Sequence, residues 1–416
     1  MVRSFSAAAA ATLVLAACCG KPLVPQQATT SGAIGVAQVT VSGKQQQLLF
    51  VPQPSLDGNG VPWVAILDAA YDGTSKPLLG TVELTGHADL SLPTAAAASP
   101  TAVVVVGAKS PYVDFIDPVA GTVQATVTLP DAVRKDEATS YSGAGGLATG
   151  VVLDPAGNRA WISVPTGFLP IDLSSHQFGA LVAAAPAESF AYWPQKGFLL
   201  APFYSCSACP ASTPGGGLQV VDTGKGTVRF LGGADGGMPV GLAPGAADVD
   251  PATGVALVAD DQAGTLYTVN LSTAAGDGPA GTIMAPVGQV AGATNYTGVA
   301  VDPSGHRALL EQAASTGVAL VVLPQQAGSG AIDPGVVVTA DMPSPGGESW
   351  TNSGNPPGLA VTIGLSSQQP VGFVSGNGGS VVARIDLDAF AQAQPKGGAV
   401  DAETFLPLVT FIPAHN

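Results

Sequence analysis

The feature that most constrains this chain is a pair of short sequence markers that alternate along it. The first marker is a turn containing Pro or Gly next to an apolar strand, and its copies begin at Ser55, Ser99, Leu153, Tyr192, Val249, Val301 and Leu365. The second is a strand ending in an apolar residue followed by Asp, with copies ending at Asp68, Asp117, Asp172, Asp222, Asn270, Leu323 and Asp386, of which Asn270 and Leu323 are degenerate. The copies of the second marker lie 49, 55, 50, 48, 53 and 63 residues apart.

A period near 50 residues with several strands in each unit is typical of a β-propeller. One blade cannot bury both of its faces alone, so blades stack in a ring and each covers its neighbour. The composition agrees, because 46% of residues are apolar while 54 Gly and 35 Pro disfavour long helices. We therefore predict an all-β fold, a single propeller of seven four-stranded blades over residues 36–416. The irregular units leave six and eight blades as alternatives.

Three segments carry the repeat most clearly. They are PYVDFIDPVAGTVQATV from Pro111, VVLDPAGNRAWISV from Val151 and GVAVDPSGHRALL from Gly298. These segments resemble YVTN-type (surface-layer-like) β-propeller repeats, and the resemblance implies a propeller fold without specifying an activity. The unit near Tyr192 departs from the pattern, since it lacks Asp-Pro and carries a cysteine-containing insertion.

Propellers are commonly closed by pairing of the two chain ends, which removes exposed strand edges. The two candidate strands are Val36–Ser42 near the start of the domain and Thr404–Pro413 near its end. We expect these two segments to pair with each other.

The first residues read as an export signal. A largely apolar run of eleven residues, Ala7–Ala17, is too short to span a bilayer as a helix. It ends Leu15-Ala16-Ala17-Cys18, which resembles the bacterial lipobox. The resemblance implies that residues 1–17 are a lipoprotein signal peptide and that Cys18 is acylated, as with palmitate. Residues 18–35 then form a flexible tether, and the protein is exported and lipid-anchored at the cell membrane or outer membrane. An ordinary secretory signal, cut after small residues, is the alternative.

A second cysteine pair, Cys206 and Cys209, lies in the sequence FYSCSACPASTPGGG. Outside the cytosol such a pair favours a short-loop disulfide. A redox-active Cys-x-x-Cys would open a helix, but Pro210 and three glycines follow here. We predict a structural disulfide and keep redox chemistry as the alternative.

No catalytic motif is visible in the sequence. Nucleophile-elbow, zinc-protease and phosphate-loop patterns are all missing, so we predict no catalytic residues and no cofactor. The four histidines lie more than five residues apart, so no metal site is predicted, and His306 is expected to be solvated. The repeated Asp residues favour hydrogen-bonded turns over calcium ligation. The net charge of −15 without a basic cluster argues against nucleic acid as a partner.

The polar loops that precede the innermost strands are the best candidates for a ligand face, because they ring the mouth of the central channel. Exposed aromatic and amide groups there suit a protein or carbohydrate partner. The candidate residues are His87, Asp89, Tyr141, Asn295, Tyr296, Trp350 and Asn352. Ordinary loop residues without a ligand are the alternative at each position.

These features predict a lipid-anchored propeller that serves as a binding or assembly module in the bacterial cell envelope. The alternative is a propeller enzyme of the lactonase or quinoprotein kind acting at the central channel. Three or more convergent acidic, amide or His side chains at the channel would favour the enzyme. A broad rim lined by Tyr296 and Trp350 would favour the binding module.

Overall fold

A computed structural model describes residues 34–53, 61–85, 93–107, 110–135, 148, 150–154, 158–185, 187, 189–204, 216–232, 244–260, 264–277, 282–285, 287–302, 306–312, 315–323, 336–345, 350–352, 358–365, 367–376 and 380–414. Within these ranges the strands form seven antiparallel sheets, each with a core of four strands, and the sheets are the seven blades of a propeller. The predicted fold class and blade number are confirmed.

The first four blades follow one another along the chain, and the strands of each are given from the centre outward. Blade 1 contains β1 (Gly35–Val41), β2 (Lys44–Gln53), β3 (Trp63–Asp68) and β4 (Leu78–Glu83). Blade 2 contains β5 (Pro93–Ala98), β6 (Val103–Gly107), β7 (Tyr112–Asp117) and β8 (Thr122–Thr128). Blade 3 contains β9 (Gly150–Leu153), β10 (Arg159–Val164), β11 (Gly167–Asp172) and β12 (Val182–Ala183). Blade 4 contains β13 (Ala191–Trp193), β14 (Phe198–Tyr204), β15 (Gly216–Asp222) and β16 (Thr227–Gly232).

The last three blades contain additional short strands. Blade 5 begins with β17 (Pro244–Asp250), β18 (Val255–Asp260) and β19 (Thr265–Asn270); the hairpin of β20 (Ala275–Asp277) and β21 (Thr282–Met284) precedes its outer strand β22 (Val287–Thr294). Blade 6 contains β23 (Gly298–Asp302), β24 (Arg307–Glu311), β25 (Gly317–Val322) and β26 (Val337–Asp341). Blade 7 begins with β27 (Leu359–Ile363), β28 (Pro370–Gly376) and β29 (Val381–Asp386); the short strand β30 (Gly398–Ala399) precedes its outer strand β31 (Val409–Pro413). Short helices span Asp131–Lys135, Leu387–Ala393 and Ala402–Phe405, and 3-10 turns span Leu271–Thr273 and Leu406–Leu408.

Two of these short strands join a blade to the one before it. Strand β21, which follows blade 5's third strand, pairs in parallel with β16 on the outer edge of blade 4. Strand β30, which follows blade 7's third strand, pairs in parallel with β26 on the outer edge of blade 6. Each pairing covers an edge whose backbone N–H and C=O groups would otherwise face solvent.

The second marker ends the third strand of each blade except blade 6, where β25 ends at Val322, one residue before Leu323. Where that residue is Asp, its side chain shapes the turn that follows: Oδ1 of Asp117 accepts hydrogen bonds from the N–H groups of Val119 and Ala120 at 2.8 and 2.9 Å. Asp172 and Asp222 make the equivalent bonds. The Ala120 and Val119 N–H groups lower the pKa of Asp117. The hydrogen-bonded-turn interpretation of the repeated Asp residues is therefore correct at these turns.

The buried apolar residues of the described ranges form seven clusters, and each fills the seam between two neighbouring blades. Alternate residues of one strand serve opposite seams, since side chains in a strand point to alternate faces. In β6, Val103 and Val105 pack toward blade 1, while Val104 and Val106 pack toward blade 3. This explains the unbroken Val103–Val106 run, because a strand buried on both faces needs apolar residues at every position.

The expected pairing of the chain ends is wrong. Strand β1 pairs with β2 and lies innermost in blade 1, whereas β31 pairs with β29 as the outer strand of blade 7. The first copy of the first marker also differs from the others, which precede the second strand of their blades. Ser55 precedes the third strand of blade 1. The second strand begins after a turn at Ser42 and Gly43, both of which have positive φ. The two-residue turn makes β1 and β2 a local hairpin, so the first segment already has its partner.

The ring therefore closes through side chains between blades 7 and 1. An apolar cluster that includes Leu49 and Trp63 of blade 1 and Phe373 of blade 7 fills this seam. The buried Gln47 adds hydrogen bonds from Nε2 to Thr362 Oγ1 at 3.3 Å and to the Ile363 carbonyl at 2.8 Å.

Candidate functional site

The innermost strands of all seven blades surround a central cavity of about 360 Å³. Each of these strands pairs on one side only, so its other backbone edge faces the channel. The side chains on the wall are mostly small: Ala95–Ala98 come from β5, and Gly35 and Gly150 from β1 and β9. The wall also includes Ser189, Phe190 and Tyr192 from blade 4, so backbone edges and mainly apolar side chains line the cavity.

Asp248 is the carboxylate on the described wall of this cavity. It lies in β17 and is partly exposed. Its Oδ2 accepts the N–H of Val301, in the innermost strand of blade 6, at 2.7 Å, and its Oδ1 accepts the N–H of Val249 at 2.7 Å. Asp248 therefore links blades 5 and 6 at the channel.

The environment of Asp248 favours the protonated carboxyl. Burial is the largest effect, the Val301 and Val249 N–H groups oppose it, and the nearby Asp250 adds repulsion, so that the pKa of Asp248 is raised to about 6. A carboxyl with such a pKa in a cavity is a common feature of functional sites.

Asp248 is not among the residues predicted from the sequence, although the repeat contains a signal for it. When the segments are aligned on Asp-Pro, Asp248 occupies the position held by Val152 in blade 3 and Ala300 in blade 6. A charged residue replacing an apolar one at a repeated inner-strand position marks a blade that differs from the others.

A second polar link joins blades 5 and 6 next to the first. The Nδ1 atom of His306 lies 2.6 Å from Oδ2 of Asp250, and Asp250 is fully buried. His306 has φ of 49°, in the left-handed region. The expectation that His306 is simply solvated is wrong, because its side chain is 23% exposed and bound to a buried carboxylate of the neighbouring blade.

Another buried acid lies between blades 6 and 7. Glu311 is 0% exposed, and its Oε1 accepts the Gly358 N–H at 3.0 Å. Burial raises its pKa well above the ordinary value for Glu, although the Gly358 N–H opposes the shift. Its Oε2 is buried without a hydrogen-bond partner within the described chain. Glu311 does not line the channel cavity.

Four of the candidate ligand residues lie in the described ranges. Asn295 is exposed, with φ of 64°, and its N–H donates to the Gly264 carbonyl at 3.0 Å. Tyr296 is only 8% exposed, and burial, with Asp341 nearby, raises its pKa to about 12. Its ring belongs to the apolar cluster between blades 5 and 6.

Trp350 and Asn352 form one hydrogen-bonded unit. Trp350 is 2% exposed, and its Nε1 donates to Asn352 Oδ1 at 2.6 Å. The ring lies so close to Gly376 that a Cβ there would come within 2.4 Å of it. Asn352 Nδ2 in turn donates to the carbonyls of Gln312 and Gly317 at 3.0 and 2.8 Å.

The expectation of exposed aromatic rings at the rim is therefore wrong for Tyr296 and Trp350. Their apolar surfaces are used to fill seams between blades, and Asn352 holds its segment to blade 6. His87, Asp89, Tyr141, Cys18, Cys206 and Cys209 all lie outside the described residues. Ligand binding by the candidate residues, acylation of Cys18 and the disulfide stay predictions.

Within the described residues, neither the criterion stated above for an enzyme nor the one for a binding module is met. The described wall of the cavity has one carboxylate rather than three convergent acidic, amide or His side chains, and the rings of Tyr296 and Trp350 are buried. Within the same ranges, no three His, Cys, Asp or Glu residues are grouped as a metal site would need. No described helix is long and apolar enough to cross a membrane.

Comparisons with known proteins identify the fold. No family profile matches the sequence, and no curated protein matches it. Among solved structures, the chain is similar to one in the complex of KlAtg21 with the coiled-coil of AgAtg16, with TM-score 0.52, 10% identity and coverage of 86% of this chain and 94% of that one. It is also similar to a functionally unknown protein from Desulfotomaculum acetoxidans, with TM-score 0.51, 13% identity and coverage of 84% and 96%. A third match, Kuenenia stuttgartiensis hydrazine synthase, has TM-score 0.47, 12% identity and coverage of 95% and 99%. At such identities the first two similarities establish the propeller fold alone.

Proposed function

We propose that this chain is an exported, lipid-anchored β-propeller that serves as a binding or assembly module in the bacterial cell envelope. The lipobox-like Leu15–Cys18 supports the anchor, and the propeller suits a module that presents loops and a channel to a partner. The observation that carries the binding role is the central cavity of about 360 Å³, walled by all seven innermost strands and carrying the Asp248 carboxylate. The partner proposed for the loop face, which includes His87, Asp89, Tyr141 and Asn295, is an envelope protein or a carbohydrate.

The anchor is tested by feeding cells a clickable palmitate analogue and measuring its incorporation into the protein. We expect incorporation into the wild type and none into Cys18→Ser. Cys19→Ser is a matched control, since Cys19 is the adjacent cysteine and lies outside the lipobox position. Equal labelling of the Cys18→Ser variant and the wild type would overturn lipidation at Cys18.

The assembly role is tested by photo-crosslinking in intact cells. The large apolar side chains that the structure exposes are suitable crosslinker positions, and they are Leu79, Val119, Leu181 and Leu406. These positions belong to different blades, so a partner docked on one face should crosslink at one or two of them in stoichiometric amounts. Capture at none of the four would contradict a stable envelope assembly.

A second candidate function is a propeller enzyme acting in the channel. One observation favours it: a carboxyl with a pKa of about 6 in a cavity suits general acid–base catalysis near neutral pH. Lactone hydrolysis by the wild type that is lost in Asp248→Asn would support this function. Hydrolysis that the variant retains in full would remove Asp248 from it.

A further inference from the structure

The channel has the size and the polar groups of a small-molecule site. Ligand pockets usually enclose roughly 300–1,000 Å³, and this cavity of about 360 Å³ lies near the lower end of that range. The backbone edges of seven strands surround it, so carbonyl and N–H groups are available on all sides.

The charge on the described wall of this cavity is negative. Asp248 is present on the described wall, and no Lys, Arg or His lines it. The described hydrogen-bond partners of Asp248 are the neutral N–H groups of Val249 and Val301, so no cationic side chain of the described chain pairs with it. The other charged group close to it is Asp250, whose carboxylate repels it.

Asp248 also has unused acceptor capacity. Each carboxylate oxygen has two lone pairs, and each oxygen of Asp248 accepts one N–H of the protein. The two N–H groups hold the carboxylate in place, and Asp248 as a residue is partly exposed.

These features match an ammonium group better than a metal ion. Ca²⁺ takes six to eight oxygen ligands at fixed distances, and no grouping of metal-ligating side chains exists within the described ranges. An ammonium group needs one carboxylate and two further acceptors for its three N–H donors, and strand-edge carbonyls supply acceptors of that kind.

We infer that the central channel binds a small molecule carrying a protonated amine, whose ammonium group pairs with the Asp248 carboxylate. This inference rests on the proposed binding function and names the class of ligand for its channel. Asp248 thus has two roles, since it joins blades 5 and 6 through Val301 and presents a negative charge to the channel.

The test uses the purified full chain, with n-butylammonium as the probe and 1-butanol as its neutral counterpart. Calorimetry or ligand-observed NMR should detect one saturable butylammonium site. Asp248→Asn keeps the size of the side chain and removes the charge, so it should weaken butylammonium binding by about tenfold or more without changing 1-butanol binding. Asp117→Asn, at an exposed turn outside the cavity, is the matched control and should bind like the wild type.

A second measurement needs only the wild type, in case Asp248→Asn does not fold. Butylammonium affinity should increase as the pH rises through about 6, where Asp248 ionises, whereas 1-butanol affinity should stay constant. The inference is overturned if the wild type shows no saturable butylammonium site. It is also overturned if Asp248→Asn binds the probe equally well or if the affinity is independent of pH. The palmitate and crosslinking experiments are unaffected by these outcomes, so the two proposals fail separately.

Discussion

The seam between blades 2 and 3 and the seam between blades 5 and 6 solve the same packing problem with different residues. In the first, apolar side chains such as Val104, Phe115 and Ile162 fill the space between the sheets. The second has a comparable apolar cluster and, in addition, the polar groups Asp248, Asp250 and His306. An apolar cluster suffices to hold two blades together, so the packing of blades 5 and 6 does not by itself require the ionisable groups of the second seam.

The difference between the seams distinguishes groups that stabilise the fold from a group that is a candidate for function. Burying a carboxylate costs free energy unless hydrogen bonds or a cation compensate. Asp250 accepts hydrogen bonds from the Ala252 N–H and the Thr253 hydroxyl and also contacts His306, whereas the described partners of Asp248 are two backbone N–H groups. A residue that lowers stability at the channel is a stronger functional candidate than one that fills a seam.

The largest expected effect concerns the apolar seam. Phe115 is 0% exposed, and Phe115→Ala should lower the free energy of unfolding by about 3–5 kcal/mol, because it removes a large buried ring and leaves a cavity. Denaturant unfolding measures the change. Val119→Ala, at a side chain that is 49% exposed, should stay within about 0.5 kcal/mol of wild type. Equal effects of the two variants would show that this cluster does not hold blades 2 and 3 together.

The second-largest expected change in the free energy of unfolding is at His306, and it is compared with the change at a histidine of the other seam. His306→Asn removes the imidazole from the buried Asp250, which keeps the Ala252 N–H and the Thr253 hydroxyl as donors. It should lower the free energy of unfolding by about 1–3 kcal/mol. His176 is the matched control: its φ of 56° is similar to the 49° of His306, and its ring contacts Phe115 with centroids 4.3 Å apart. Asn tolerates positive φ at both positions, and loss of a ring contact costs about 0.5–1.5 kcal/mol. A larger loss for His176→Asn than for His306→Asn would contradict the importance of the His306–Asp250 link.

The third effect depends on pH. The folded-state pKa of Asp248, about 6, lies above the ordinary value of 3.8, so the folded protein binds the proton more tightly than the unfolded chain. The stability from this group is present below pH 3.8 and is lost as the pH rises through 6. Asp248→Asn removes this dependence. Its free energy of unfolding, relative to wild type at the same pH, should therefore increase by about 2–3 kcal/mol between pH 3 and pH 8.

Denaturant unfolding of both proteins across that range measures the difference. The comparison at each pH cancels the titration of groups that do not interact with Asp248, such as Glu311. A difference that is constant with pH would indicate that Asp248 is solvated like an ordinary surface carboxylate.

The smallest effect is at the turn after the third strand of blade 2, where Asp117 stands and blades 5 and 6 have Asn270 and Leu323 instead. Asp117→Ala removes the two N–H···Oδ1 hydrogen bonds of an exposed turn and should lower the free energy of unfolding by about 1 kcal/mol. Asp117→Asn can form the same turn and should retain most of the stability. Both changes are measured by denaturant unfolding. If alanine had no effect, the turn would be held by its backbone bonds alone, such as that from the Gly121 N–H to the Asp117 carbonyl.

Much of the fold was predictable because its signals are local. The residues before a turn, such as Ile116-Asp117, define where the third strand of a blade ends, and their spacing counts the blades. The first hairpin was misread for the same reason, since its Ser42-Gly43 turn lacks the Pro-containing pattern found in the other units. The candidate site was less predictable, because an aromatic residue between strands can face solvent or a seam. Trp350 is buried since it packs against Gly376, which lies 26 positions away in sequence.

The sequence by itself determined the class of fold and the chemistry of the turns, and it favoured seven blades, since each of these depends on residues close together in the chain. Only the tertiary structure decided what the blades bring together. The Val301 N–H meets Asp248 from 53 residues away, His306 meets Asp250 from 56 residues away, and the ring closes by side-chain packing rather than by paired chain ends. Contacts between blades depend on how seven similar sheets pack around one axis, and no single repeat contains that information.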